Sequence, residues 1–172
     1  EYGAEGKWVD GDNIRFRYGL PEKIGGWAKV TSDALVGATR AILTWTALNG
    51  VKYAMYGTNK KLYAYSEKSY GDVTPSRGTG SITQFQTTSG SATVTVTDAS
   101  HGALVGDFVT ISSVSGAIGG LTQANLQNEF EILTADSDAG TYTIEAPANA
   151  SSSATGATAT ATYQINSGSA VS

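Results

Sequence analysis

The stretch that predicts the fold most clearly is Asn13-Ile14-Arg15-Phe16-Arg17-Tyr18-Gly19-Leu20-Pro21-Glu22-Lys23-Ile24-Gly25-Gly26-Trp27. From Ile14 to Tyr18, apolar or aromatic side chains alternate with arginines, which is the period-two pattern of a strand with one dry face. Proline cannot donate to a β ladder and presets a turn torsion, so we expect Pro21 to lie in a reversal spanning Gly19–Glu22. The stretch is therefore predicted to form an aromatic-faced β-hairpin.

A short meander is predicted downstream of this hairpin. Its strands are expected at Arg40–Thr46, Val51–Gly57 and Leu62–Ser66, with a turn at Leu48-Asn49-Gly50 and a loop through Tyr70-Gly71. A sheet this small exposes a whole face and is marginal alone. Propellers solve this problem by packing four-stranded sheets around an axis. The chain contains no second copy of the pattern, so we expect a single propeller-blade-like meander.

Charge divides the chain into two parts. All 11 lysines and arginines lie between Lys7 and Arg77, whereas residues 78–172 contain seven acidic side chains and no basic ones. A shift this abrupt predicts a boundary at Pro75 to Ser81. We therefore expect residues 1–77 to form the hairpin and meander, residues 78–166 an acidic β-domain, and residues 167–172 a polar tail or the start of a continuation. Lacking cations, the acidic part is not expected to bind nucleic acid through phosphate neutralisation.

The acidic part is predicted to be a small antiparallel barrel or sandwich. Six short strands are expected, separated by glycine-containing turns, at Ile82–Thr87, Ala92–Thr97, Phe108–Ser113, Phe130–Ala135, Thr141–Ala146 and Ala157–Ile165. Leu121–Leu126 is expected to form one helical turn. Pairing of 82–87 with 160–165 would bring the ends of this domain together, as in an inserted domain. The overall expectation is an all-β chain.

The opening of the chain also resembles a known family. Gly6-Lys7-Trp8, the run Trp8-Val9-Asp10-Gly11-Asp12-Asn13-Ile14-Arg15-Phe16-Arg17, and Pro21-Glu22-Lys23-Ile24-Gly25-Gly26-Trp27 resemble the start of the tail-nozzle or head-to-tail stabilisation proteins of short-tailed bacteriophages. The resemblance implies propeller-like blades in a longer protein, of which this chain would be a part. It also implies a six-fold ring.

Side-chain chemistry does not indicate an enzyme. The chain has no cysteine and one histidine, His101, which precedes a glycine as turn residues often do. Glu129 and Glu131 share one face of a predicted strand, and we interpret them as a polar surface rather than a glycosidase pair. The Asp136-Ser137-Asp138 cluster lacks the full acid series of a calcium loop. No catalytic residue, cofactor or metal site is predicted, and no segment has the length of a membrane anchor.

Aromatic side chains of the first part are the candidate functional residues. The candidates for packing or for a protein interface are Trp8, Phe16, Tyr18, Trp27 and Trp45. Such side chains bury a large area while their polar ends remain hydrogen-bonded. The same residue types are also expected to fill the core of a blade, and the sequence does not separate the two roles.

The expected function is that of a structural virion protein at the tail or head-to-tail junction. The resemblance implies that such a subunit partners with itself in a ring and with portal-adaptor and other tail proteins, while packaged DNA passes without sequence-specific binding. The alternative is a carbohydrate-binding or adhesion β-module, for which exposed aromatics on threonine-rich strands are also typical.

Overall fold

The structure is a computed structural model that describes residues 13–26, 28–29, 34–67 and 69–168. These residues form an all-β fold with fifteen strands and one short helix. The chain divides into two compact units, residues 1–32 and 33–172. The prediction of an all-β chain is confirmed.

The first unit contains the predicted hairpin, but its turn lies earlier than expected. Strands β1 (Ile14–Arg17) and β2 (Leu20–Lys23) pair antiparallel, with Arg17 opposite Leu20. The reversal occurs at Tyr18-Gly19, whose φ angles are +52° and +79°. Positive φ at both central residues is the type I′ geometry that matches the twist of the flanking strands.

Pro21 therefore lies inside a strand rather than in the turn. It pairs with Phe16, next to the Arg17–Leu20 pair that closes the hairpin. Alternate pairs in an antiparallel ladder exchange hydrogen bonds, and the amide of Ile24 donates to the Asn13 carbonyl at 2.8 Å. By that alternation, Phe16 and Pro21 are a non-hydrogen-bonded pair of the ladder. The lack of an N–H in proline therefore removes no hydrogen bond between the two strands.

The second unit begins with a four-stranded antiparallel sheet, which we call the meander. Its strands are β3 (Thr39–Thr46), β4 (Lys52–Thr58), β5 (Leu62–Ser66) and β6 (Ser69–Asp72), hydrogen-bonded in that order. Gly50 supplies a positive φ of +84° in the predicted turn between β3 and β4. The loop predicted through Tyr70-Gly71 is wrong, because these residues form β6. Tyr70 pairs with Tyr65, which extends the sheet to the four strands typical of a propeller blade.

Residues 76–165, which we call the module, form the rest of the second unit. Its elements are β7 (Ser76–Ile82), β8 (Gln84–Thr87), β9 (Thr93–Thr97), β10 (Phe108–Ser112), α1 (Gln123–Leu126), β11 (Glu129–Glu131), β12 (Thr134–Asp136), β13 (Thr141–Glu145), β14 (Ala154–Gly156) and β15 (Ala159–Gln164). One sheet has the order β11-β10-β15-β7 and the other the order β12-β13-β9-β8-β14.

The two sheets of the module enclose one apolar core. Phe85, Val94, Val96 and Ile144 from the five-stranded sheet and Val109 from the four-stranded sheet are fully buried in it. Among the described residues no sheet closes on itself, so the arrangement is that of a sandwich and not the predicted alternative of a barrel. The helical turn predicted at 121–126 is present as α1, which Thr122 and Asn125 cap reciprocally.

Several predicted strand limits are wrong. The expected strand at 82–87 is two strands interrupted at Thr83, and the expected strand at 130–135 is interrupted at residues 132–133. The glycine-rich β7 was expected to be a domain boundary, and β14 was not predicted. As a result, β15 pairs with residues 76–82 of β7, while β8 pairs with β9 and β14.

The ends of the module are nevertheless adjacent. The amide of Ile165 donates to the Pro75 carbonyl at 3.1 Å, and the amide of Ser167 then donates to the Lys60 carbonyl at 3.0 Å. The chain thus leaves the meander at Pro75 and returns to it after Ile165, which is the geometry of an insertion. Independent folding of the predicted segment 78–166 stays a prediction, as does the nature of the tail, because residues 169–172 lie outside the described residues.

Candidate interaction surface

The most exposed apolar surface of the second unit surrounds strand β3. This strand forms one edge of the meander, and all eight of its residues are exposed. Ile42 is 62% exposed, Leu43 65% and Trp45 41%. Fully burying side chains of this size contributes about 1.5–3 kcal/mol each, so an exposed edge of this kind favours association.

Both faces of the sheet carry apolar side chains next to this edge. Residues that pair directly across an antiparallel sheet share a face. Leu43 pairs with Met55 and Trp45 with Tyr53, which places these four on one face. The Trp45 and Tyr53 rings stack with centroids 5.3 Å apart and planes inclined by 15°. Ile42, on the opposite face, pairs with Tyr56.

A shallow depression lies at the same end of the sheet. It has a volume of about 370 Å³ and is lined by Thr44, Trp45, Thr46, Lys52, Tyr53, Ala54 and Tyr65. Tyr65 pairs with Ala54, and Ala54 pairs with Thr44, so these three share the face of Ile42. The lining combines an aromatic ring, hydroxyl groups and a cation, which is a combination that suits a protein or sugar surface.

The edges of the module are protected in ways that β3 is not. Its edge strands β11, β12 and β14 have three residues each, β11 and β12 carry acidic residues, and β7 contains Gly78 and Gly80. Short, charged or glycine-rich edges discourage pairing with another chain. Strand β3 has eight residues, with Arg40 and an irregular register at its start as its only such features. It is therefore the edge best suited to contact another polypeptide.

The predicted interface residues fall in different places. Trp8 and Trp27 lie outside the described residues. Phe16 and Tyr18 belong to the hairpin of the first unit and are 54% and 92% exposed. Trp45 belongs to the exposed edge of the meander. The role of Phe16, Tyr18 and the two undescribed tryptophans stays a prediction.

A buried ion cluster that the sequence did not reveal joins the meander to the module. Lys61, at the β4–β5 turn, is 1% exposed, and its ammonium lies 2.8 Å from Asp72 Oδ2 and contacts Glu129. It also lies 4.7 Å from the centroid of the Phe108 ring and 3.3 Å from Gln164 Oε1. Two of these partners are carboxylates. They neutralise the charge of the ammonium, which is buried away from water.

The electrostatics of this cluster favour the charged forms. Burial alone would lower the pKa of Lys61, but hydrogen bonds to Asp72 and Glu129 and their charges outweigh it and raise the pKa. Burial would likewise raise the pKa of Asp72, but hydrogen bonds from Lys61 and Thr74 lower it. Lys61 and Asp72 therefore form an ion pair at neutral pH.

The residues considered for chemistry all have hydrogen-bond or ion-pair partners within the chain. His101 is buried; the Ala103 amide donates to its Nδ1 at 3.1 Å, and its Nε2 lies 3.3 Å from the Asp136 carbonyl. Glu131 pairs with Lys60 at 2.6 Å and Glu129 with Lys61. The Asp136 side chain accepts the amides of Asp138 and Ala139 in a turn.

Beside His101, two tyrosines and an aspartate form a buried polar group. The Tyr163 hydroxyl donates to Asp98 Oδ2 at 2.6 Å and lies 3.3 Å from the Tyr142 hydroxyl. Burial is the main cause that raises the pKa of both tyrosines well above 10. The Asp98 carboxylate packs so closely against Gly80 that a β-carbon there would lie 1.9 Å from Oδ2. Asp98, Tyr142 and Tyr163 are all buried, so this group is part of the interior of the module.

Within residues 13–26, 28–29, 34–67 and 69–168, no three histidine, cysteine or acidic residues are grouped so as to hold a metal ion. No helix in the described part of the chain has the length and apolar character needed to cross a membrane.

Comparison with known proteins does not assign a family. No family model matches the chain, and no curated protein matches it. Among solved structures, the phage phi92 endosialidase is similar over 85% of this chain, with 18% identity and a TM-score of 0.38. The chain spans 21% of the length of that protein. A similarity at this TM-score carries no argument about function, so the resemblance to tail-nozzle proteins stays a prediction.

Proposed function

We propose that this chain is part of a structural virion protein of a short-tailed bacteriophage, a ring-forming subunit at the tail or head-to-tail junction. The observation that carries the proposal is the exposed β3 edge, where Ile42, Leu43 and Trp45 are 41–65% exposed. A lone four-stranded sheet with apolar side chains on both faces is marginal in water. Repetition around an axis covers such surfaces.

The proposed role is mechanical and involves no turnover. A ring closes through head-to-tail interfaces, and six copies is the number that the sequence resemblance implies. The ring would contact portal-adaptor and other tail proteins and would surround the DNA channel. The acidic module, which has no lysine or arginine beyond Arg77, would not grip phosphates and would let DNA pass.

The Lys61 cluster suits this role because it fixes the module to the meander. Lys61 and Asp72 belong to the meander side, whereas Glu129 and Phe108 belong to the module. A subunit under load needs such a rigid connection at the place where the chain leaves and re-enters the sheet. Lys60, which pairs with Glu131 at 2.6 Å, adds a second and more exposed contact between the same two parts.

The test is the symmetry of the assembled protein. Purified protein is expected to form closed particles, with a mass of about six chains by native mass spectrometry and six-fold averages in electron micrographs. The variant Trp45→Ala is a matched probe, since truncating a half-exposed edge side chain is expected to weaken assembly while the monomer stays folded. A protein that is monomeric at every concentration would contradict the proposal.

A carbohydrate-binding module is a second candidate, because the depression at this end of the sheet is lined by the aromatic residues Trp45, Tyr53 and Tyr65 and by the hydroxyl groups of Thr44 and Thr46. Aromatic rings bind the apolar faces of sugars, and hydroxyl and ammonium groups bind their oxygens. Glycan-array binding by the monomer, lost in Trp45→Ala and Tyr65→Ala but kept in Tyr18→Ala, would favour this function. Absence of glycan binding together with ring formation would favour the first.

A further inference from the structure

We propose that copies of this chain associate head to tail, with the acidic apolar patch of one module seated on the basic apolar β3 edge of the next copy. This inference rests on the proposed function and names the two surfaces that form its interface. We define the blade edge as Arg40, Ile42, Leu43, Trp45 and Lys52. We define the module patch as Leu104, Val105, Leu133, Asp136 and Asp138.

The blade edge combines exposed apolar side chains with positive charge. Arg40 and Lys52 are the charged residues of β3 and β4, both are exposed, and neither forms an ion pair among the described residues. The acidic residue of the meander that Lys61 does not neutralise is Glu67, which follows the Ser66 partner of Tyr53 and forms no ion pair with Lys52 among the described residues. The edge therefore attracts an apolar surface that carries carboxylates.

The module provides such a surface. Leu104, Val105 and Leu133 are 56%, 59% and 42% exposed. Their segments adjoin, because the amide of Gly106 donates to the Ile132 carbonyl and the amide of Ile132 donates to the Asp107 carbonyl, both at 2.8 Å. Leu133 leads directly into β12, which ends at the exposed Asp136. These three exposed apolar side chains thus lie on two adjoining segments, one of which leads to an acidic turn.

The acidic charge of this patch is not used within the chain. Of the seven acidic residues of the module, Asp98 and Asp107 are buried, and Glu129 and Glu131 pair with Lys61 and Lys60. The exposed remainder is Asp136, Asp138 and Glu145. Arg77, the one lysine or arginine of the module, is paired with Asp107 at 2.8 Å, so these carboxylates have their best partners on another copy, at Arg40 and Lys52.

Two different patches that complement each other make a heterologous interface. An isologous dimer built on either surface alone would place that surface against itself and would oppose like charges there. A head-to-tail contact opposes positive and negative charges and covers both apolar areas. Such contacts repeat from copy to copy, as ring closure requires.

The test uses two variants of the full chain and their mixture. Variant one, Arg40→Glu with Leu43→Glu, disables the blade edge, and variant two, Leu104→Glu with Leu133→Glu, disables the module patch. The control is Thr155→Glu with Thr162→Glu, which adds two negative charges at exposed positions of β14 and β15, the same change as in variant two and one charge less than in variant one. Mass is measured by sedimentation or native mass spectrometry, and amide dispersion checks that each variant is folded.

We expect each of the two variants alone to be monomeric, with association weakened at least about a hundredfold, because variant one opposes like charges and variant two replaces buried leucines by carboxylates that would have to be removed from water. The control is expected to form the native ring. An equimolar mixture of the two variants retains one intact interface and is expected to give a one-to-one dimer that grows no further. A native ring that survives in either variant, or a mixture that stays monomeric, would overturn this inference and leave the proposed function standing. Absence of a ring in the native protein would overturn the proposed function as well.

Discussion

The meander and the module differ in how far they bury their apolar side chains. Twenty apolar side chains of the module are buried in one core between its two sheets. In the described part of the meander, Tyr63 is the buried hydrophobic residue, and its outermost strand is exposed along its whole length. The difference teaches that the module contains its own stabilising core, whereas the meander leaves apolar side chains exposed along its edge strand.

The largest loss in the free energy of unfolding is expected from truncating a side chain in the module core. Phe85 is 0% exposed, and Phe85→Ala is expected to lower the free energy of unfolding by about 3–5 kcal/mol through lost burial and a residual cavity. The matched change in the meander, Leu43→Ala, is expected to alter monomer stability by no more than about 0.5 kcal/mol because Leu43 is largely exposed. Denaturant titration of both variants is the measurement. Equal losses would show that the meander is buried in the monomer.

The next largest loss in the free energy of unfolding is expected from replacing Lys61, which connects the meander to the module. Lys61→Met removes the cation between Asp72 and Glu129, which are 29% and 35% exposed. We expect a loss of about 2–3 kcal/mol, at or below the lower end for breaking a buried pair, because water partly solvates both carboxylates. Lys60→Met is the control: its pair with Glu131 is about one-third exposed, so the loss is expected below about 1 kcal/mol. Similar losses for the two lysines would contradict a buried connection.

A smaller effect is expected inside the module. Tyr163→Phe deletes the hydroxyl that donates to the buried Asp98 at 2.6 Å. Leaving that carboxylate oxygen without its donor is expected to lower the free energy of unfolding by about 1–3 kcal/mol. Tyr142→Phe removes a longer contact, 3.3 Å from the Tyr163 hydroxyl, and is expected to cost less. Thermal unfolding of the pair decides this, and a larger loss for Tyr142→Phe would reverse the assignment.

Alkaline pH provides a gradual probe of the same tyrosines. The pKa of both is raised by burial, so each keeps its proton in the folded state while the unfolded chain releases protons near pH 10. Their contribution to stability is therefore fully present below pH 10 and is lost above it. The expected loss is up to about 1.4 kcal/mol per tyrosine for each pH unit above 10. Unfolding curves that are unchanged between pH 9 and pH 11 would contradict the burial of these hydroxyls.

The elements that alternate clearly were predictable from the sequence. Strands β3, β4 and β5, the hairpin, and the helical turn at α1 follow from period-two patterns, an Asn-Gly pair and a capping threonine. Strands β6 and β7 were missed because Ser69-Tyr70-Gly71-Asp72 and the glycines at 78 and 80 have turn-like composition. Tertiary pairing with β5 and β15 overrides that local preference.

The candidate surface was predictable only in part. Trp45 was identified as an interface or packing residue from its type, but exposure depends on what covers the sheet, which a sequence pattern does not specify. In the sequence, Lys61 is one of two adjacent lysines between β4 and β5, and its partner Glu129 lies 68 residues away. Only the return of the chain after the insertion brings those charges together, so no local signal indicated the cluster.

The most direct test of whether association covers the edge of the meander is amide hydrogen exchange of the full chain. It is measured at one concentration where the chain is monomeric and at another where it is assembled. In the monomer we predict slow exchange for the core strands β9 and β13 and fast exchange for the backbone of Ile42 and Thr44 at the open edge. On assembly, exchange in β3 should slow while that in β9 and β13 stays the same. Exchange in β3 that is already as slow as that in β9 in the dilute monomer, or that does not change on assembly, would contradict the account.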